Sequence, residues 1–276
     1  MFFLEILEKV EHITILIVLF TFIATEEQRR NAEVYQAWQV ITAAHDQSGS
    51  GGRIEALEFL LSRPRRFPFF WLRWKEENLA GLAVQKAYLR EVNLQDANLE
   101  QANLQDAILL KANLQNAGLL EANLQNTDLL EANLQDAFLL EANLTEANLT
   151  EANLQDAFLR EANLTGANLT EANLQDAFFR EANLTGANLT EANLTGAFLR
   201  EANLTGANLT EAKNLSFEQI KSTCFWESSF YRAKYNDKEN KWLAIEPDNK
   251  DFIKALKENV SSDPKESPDC SIWKDK

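Results

Sequence analysis

The sequence predicts an all-β solenoid with four-sided coils, preceded by a helical segment and closed by a C-terminal cap. Three observations carry this reading. Ala recurs every five residues from Ala97 to Ala207, and Thr127 is the one departure in 23 positions. Leu stands two residues after each of them, from Leu99 to Leu209, with Phe179 the one exception. The frame runs without a slip from Leu79 to Leu209, which is 27 units of five. On an α-helix a step of five rotates by about 140°, so the Leu positions would point all round. On a flat strand of period two, a step of five would flip successive Leu to opposite faces. A chain that turns a corner every five residues keeps Ala and Leu inward on each side. Twenty residues then close one coil, and coils stacked at about 4.8 Å build a rod of roughly 30 Å.

The residue types fit that geometry. Ala is small enough for a narrow axis and Leu fills the centre. Gly166, Gly186, Gly196 and Gly206 fall at the last place of the unit, where a corner calls for positive φ. Asn and Thr stabilise corners through local side-chain to backbone bonds. The unit, as in Ala152-Asn153-Leu154-Gln155-Asp156, resembles the A(D/N)Lxx repeat of the pentapeptide-repeat family. That resemblance covers about half the chain and implies a right-handed quadrilateral β-helix over residues 77–212.

Residues 1–27 read as a membrane anchor. Ile13–Thr25 is a charge-free apolar run of 13, short of the roughly 20 residues that span a bilayer. The residues assigned to lipid contact are Ile13, Ile15, Leu16, Ile17, Val18, Leu19, Phe20 and Phe22, with Trp71 and Trp74 farther on. Spanning the bilayer, lying on it and being buried as a core helix all remain open for the run. Arg29 and Arg30 follow it, which by the positive-inside rule keeps the bulk of the chain on the cytoplasmic side. Residues 28–76 form a helical linker and N-terminal cap. They comprise a helix over 28–44, a Gly-Ser break at 48–52, a short helix over 54–61, and the basic-aromatic stretch Arg63–Lys75. That stretch suits a cap over the first coil, an anionic membrane surface or single-stranded nucleic acid. The segments 35–41 (YQAWQVI) and 48–57 (SGSGGRIEAL) resemble the N-terminal module of membrane-anchored family members from photosynthetic bacteria.

Folding the repeat modulo 20 separates its faces. Three are mostly polar and carry Asn at the middle place. The fourth carries Phe138, Phe158, Phe178 and Phe198, beside Arg160, Arg180 and Arg200 and a row of Glu. This is the predicted interaction face. The rings could be covered by the C-terminal segment, by one another, by an unknown protein partner or by self-association.

Lys213 breaks the frame, and Ser216–Gln219 reads as a helix start, resembling the helical end-cap of the family. Residues 213–276 form the C-terminal cap and tail. With the tail in the cytoplasm, Cys224 and Cys270 are expected as free thiols.

Charge and composition exclude several functions. Residues 97–211 hold 4 Lys/Arg against 17 Asp/Glu, out of a net charge of −15 for the whole chain. The repeat therefore lacks the cations that nucleic-acid contact needs. His12 and His45 have no catalytic or metal-binding companions at diagnostic spacing, so no catalytic residues, metal site or cofactor are assigned. The reading is a non-enzymatic membrane-anchored scaffold or protein-interaction module. The alternative is a soluble DNA mimic. Pentapeptide-repeat proteins similar to this one include inhibitors of type II topoisomerases, and one acid per about 1.6 Å of rod approaches the charge spacing of duplex DNA.

Overall fold

The computed structural model describes residues 2–43, 52–62, 77–231, 233–236, 241–244, 248–259, 264–265 and 267–273. The centre is the expected solenoid. Residues 20 apart form parallel bridges on all four sides, as in Asn103–Asn123, Ile108–Asp128, Asn113–Asn133 and Gly118–Phe138. Each side carries one bridged residue rather than a strand, because a corner follows three residues later.

One unit shows why the coil is stable without long strands. Asn148 N–H donates to Thr127 O of the coil below at 2.9 Å, and Leu149 N–H to Asn168 O above at 2.7 Å. Glu151 N–H donates to Thr170 O at 2.9 Å, and Ala152 N–H closes the corner on Leu149 O at 3.1 Å. The remaining donor, Thr150 N–H, bonds the Asn148 side-chain oxygen at 3.3 Å. All five backbone donors of the unit are satisfied, as a closely packed backbone requires. The inward Ala and Leu are fully buried, and so are the two departures. Phe179 takes a Leu place, and Thr127 settles its hydroxyl on Leu104 O at 3.0 Å.

Every fifth residue from Gly81 to Glu211 has φ between +55° and +70°. The sequence tied this corner to Gly, yet most of these residues are Glu, Asp, Asn, Gln or Lys. A left-handed L-residue costs about 1–2 kcal/mol. Here the cost is offset by the corner N–H bond to the next coil.

Two helices precede the rod: α1, Phe2–Ala43, and α2, Arg53–Leu61. Ala37 and Ile41 of α1 pack with Ala56, Leu57 and Leu60 of α2, and this cluster is continuous with the solenoid core. Arg30 reaches across to stack on the Phe59 ring at 4.2 Å. Leu60 O accepts from Glu77 N–H at 3.3 Å, and Glu58 Oε1 accepts from Asn93 N–H at 3.0 Å. The described cover of the first coil is thus α2 backed by α1. Arg63–Lys75, assigned that role in the sequence, lies outside the described residues. No helix among the described residues is long and apolar enough to cross a membrane. In α1 the charged residues on either side of the apolar run prevent it.

At the other end α3, Phe217–Lys221, starts where the sequence placed it. Ser216 and Gln219 form a capping box. Gln219 Nε2 also bonds Leu194 O and Ala197 O of the last coil at 3.1 and 2.9 Å. The chain then continues the ladder irregularly: Asn203 bridges Cys224 and Asn208 bridges Phe230. A small hairpin follows, β1 Ala233–Asn236 paired antiparallel with β2 Lys241–Ala244, and then α4, Asp248–Glu258. Phe252 of α4 packs against Tyr231 and Phe217. Burial among these rings pushes the Tyr231 phenol well up. Cys224 and Cys270 are joined in a disulfide, not left as free thiols. The bond ties the tail to the last coil, with Cys224 fully buried there.

Candidate interaction face

The order of residues around a coil fixes what each face presents. For one coil, the corner Gln155-Asp156 leads into the side Ala157-Phe158-Leu159. The corner Arg160-Glu161 ends it. Ala157 and Leu159 turn inward, so Phe158 stands outward at mid-side. Repetition every 20 residues stacks Phe138, Phe158, Phe178 and Phe198 face to face. Their centroids lie 5.0, 4.9 and 4.7 Å apart and the planes are within 5° of parallel. The rings cover one another along the rod, while Phe138 remains 46% and Phe198 52% exposed. Among the described residues the tail reaches the last ring, where Phe198, Arg200, Gln219 and Pro264 help line an open cleft of about 520 Å³.

Arg160 pairs with Glu161 at 2.7 Å, and Arg180 with Glu181 at 3.0 Å. Glu201, nearly buried, takes Arg200 at 3.2 Å and Arg180 at 3.4 Å. It also accepts Asp269 N–H at 3.3 Å, while its backbone oxygen holds the Trp273 indole N–H at 2.9 Å. Burial pushes the Glu201 carboxyl up, but the Asp269 bond and the two guanidiniums outweigh it and hold it below the usual range. The structure therefore brings together all seven predicted residues of this face. Asp136, Asp156 and Asp176 follow Gln135, Gln155 and Gln175 at the ends of their units. They stand at the corner that opens the Phe side, and their place just before the inward Ala was the available signal.

The Asn113–Asn193 face is closed by its own side chains. Asn153 Oδ1 accepts Gln155 N–H at 3.3 Å and the Asn173 amide at 3.0 Å, while its own amide reaches Asn133 at 3.2 Å. A row of Glu151, Glu171, Glu191 and Glu211 at another corner has no ion pair among the described residues.

Of the residues assigned to lipid contact, Val18 is 60% and Phe20 74% exposed on α1. The side chains of Ile13, Ile15, Leu16, Ile17, Leu19 and Phe22 lie outside the described residues, as do Trp71 and Trp74. Among the described residues no group of His, Cys, Asp or Glu could hold a metal ion.

A packed Ala-Leu axis and a corner every five residues define a structural solenoid whose chemistry lies on its outer faces. The chain belongs to the pentapeptide-repeat family, whose repeats match in eight copies over residues 85–119, 112–150, 122–160, 147–186 and 182–217. Such repeats form right-handed quadrilateral β-helices and generally serve as non-enzymatic structural or interaction modules. A pentapeptide-repeat protein from the Arabidopsis thaliana thylakoid lumen is 33% identical, over 36% of this chain and 69% of that one, with a TM-score of 0.35. HetL, a pentapeptide-repeat protein involved in heterocyst differentiation regulation in Nostoc sp. strain PCC 7120, is 35% identical over 49% of this chain and 73% of that one, with a TM-score of 0.26. QnrB1, a plasmid-mediated fluoroquinolone resistance protein, is 21% identical over 50% of this chain and 69% of that one, with a TM-score of 0.34. No match is found among curated proteins.

Proposed function

We propose that the chain is a non-enzymatic scaffold whose rod presents the Phe face to a protein partner, with α1 holding the assembly at a lipid surface. The observation that carries this reading is the stacked, half-exposed Phe ladder on a backbone whose own donors are already satisfied. Such a face gives a partner apolar area without disturbing the fold. Lipid attachment is supported by the apolar run and by the exposure of Val18 and Phe20. The run has too few apolar residues for a full crossing, which favours a position at the headgroup boundary.

The side of the lipid follows from two opposed signals. Arg29 and Arg30 favour the cytoplasm, but that rule presupposes a spanning helix. The Cys224–Cys270 bond favours an oxidising side, because disulfides seldom persist in reducing compartments. We place the rod on the oxidising side. Membrane-impermeant thiol labelling of intact cells after mild reduction tests the placement, and protection of both cysteines would reverse it.

The main test is co-sedimentation with membranes. The full chain is expected to pellet and a chain beginning at Gln28 to stay in solution. Full chain left in the supernatant would refute lipid attachment. A second reading, the DNA mimic, is favoured by the Glu151–Glu211 row. Inhibition of gyrase supercoiling that disappears when Glu151, Glu171 and Glu191 become Gln would establish it in place of the scaffold.

A further inference from the structure

We propose that the Cys224–Cys270 bond is a reversible latch. A dithiol reductant opens it and frees residues 267–273 from the last coil, while the rod and the rest of the cap stay folded. Opening also clears the last rung of the Phe side, a consequence that rests on the reading of that side as an interaction surface.

The two halves of the bond are held differently. Cys224 belongs to the ladder. Its N–H donates to Ala202 O at 2.8 Å, and its carbonyl accepts Leu204 N–H at 3.1 Å. These bonds do not pass through sulfur, so breaking the disulfide leaves Cys224 in its coil. Cys270 belongs to a strap, residues 267–273, that lies over Glu201. Asp269 N–H and the Trp273 indole N–H both end on Glu201. Ser271 N–H bonds the Asp269 carboxylate at 3.0 Å, and Trp273 N–H bonds Cys270 O at 3.3 Å, so the strap also turns on itself. Ile272 and Trp273 are not among the residues packed with the hydrophobic core. A segment tied down by a covalent bond and by hydrogen bonds at the surface opens locally once the covalent bond is cut. The segment between the two cysteines keeps its own anchors. Gln219 Nε2 holds two carbonyls of the last coil, Ile220 is buried, and Phe252 packs on Phe217 and Tyr231. Asn249 of α4 accepts Tyr231 N–H at 2.7 Å.

The exchange balances. Cys224 is fully buried and Cys270 half-buried, so a thiolate of the reductant attacks the Cys270 sulfur. The S–S bond breaks, and Cys224 leaves as a thiolate and takes up a proton. The second thiol of the reductant then attacks the reductant's own sulfur in the mixed disulfide and gives up its proton. Cys270 leaves and is protonated in turn. The reductant ends as a cyclic disulfide, and two electrons and two protons have passed to the protein. An oxidised dithiol runs the same steps backwards and closes the latch. With the strap in place Glu201 is 5% exposed. It stands at the corner that closes the Phe side, where Arg180 and Arg200 meet it. With the strap away, these groups face solvent beside Phe198, and a partner lying along the rings meets no strap at that end.

The test uses the full chain in a non-ionic detergent without denaturant, oxidised or treated with dithiothreitol. Thiol titration should count both cysteines freed. Hydrogen exchange at the Asp269 amide and carbodiimide labelling of the Glu201 carboxyl should each become at least about tenfold faster. Glu171, exposed in either state, should label alike in both. The Leu204 and Leu209 amides should keep their protection, and the circular dichroism of the rod should not change. Cys270→Ser should show the open strap without reductant and no response to it. Oxidised dithiothreitol should restore protection to the reduced natural chain. Failure to release thiols, a strap equally protected with and without the bond, or loss of Leu204 protection together with the strap would each overturn the latch. No partner enters these readouts, so failure of the latch leaves the reading of the Phe face standing.

Discussion

The Asn113–Asn193 side and the Phe138–Phe198 side share one backbone and the same kind of inward residues, yet they close their surfaces differently. On the Asn side each middle residue serves its own corner and its neighbour above, so the side chains are spent within the fold. On the Phe side the rings stack at coil spacing and contribute no polar bond to the corner. The difference teaches that one place in five is free for function. The inward pair makes the coil, and the middle place decides whether a side faces inward to its own structure or outward to another molecule.

The largest effect should come from attacking what the two sides share. Leu154→Ala beneath the Asn side and Leu159→Ala beneath the Phe side should each cost about 2–5 kcal/mol, since both Leu are fully buried. Thermal unfolding of the two variants should be lowered alike, and a marked inequality would show that the sides are not equivalent inside. Next, Asn153→Ala should cost about 1–2 kcal/mol, because it removes an acceptor for Gln155 N–H and two rungs of the Asn ladder. Phe138→Thr should cost about 1 kcal/mol, the scale of the one aromatic pair it breaks. Denaturant titration distinguishes these two, and a Phe variant costlier than the Asn variant would make the ladder structural. The smallest change should have the opposite sign. Glu171→Gly should raise stability by roughly 0.5 kcal/mol, relieving a left-handed side chain against the greater freedom of Gly in the unfolded chain. A lower melting temperature would mean that the Glu side chain stabilises its corner.

The solenoid was legible because its period excludes both regular elements and because Ala and Leu never exchange places. Ser216 to Gln219 was legible through local cap chemistry. The corners were only half legible: Gly166 and its equivalents marked positive φ, but nothing local said that Glu151 would adopt it too. The stack of Phe rings followed from the period, whereas how far the described tail covers them depended on where residues 264–265 and 267–273 run. The disulfide was hidden because 46 residues separate Cys224 from Cys270 and no motif links them. Of the candidate face, the Phe and Arg rows were readable by counting. The Asp edge was missed because a corner residue belongs to the side it opens, which becomes clear only when the turn is seen.

The last coil gives the C-terminal cap a further meaning. Leu204 N–H bonds Cys224 O, Leu209 N–H bonds Phe230 O, and the Cys224 and Phe230 N–H groups bond Ala202 O and Ala207 O. These are the groups that another coil would use. A chain cut before Ser216 would leave them as an unpaired edge at that end of the rod, while α2 keeps the first coil covered. The cap is thus a chain terminator for a growth process the repeat would otherwise permit. Its loss should leave a rod open at one end, ready to pair there with another unpaired edge but not to grow without limit.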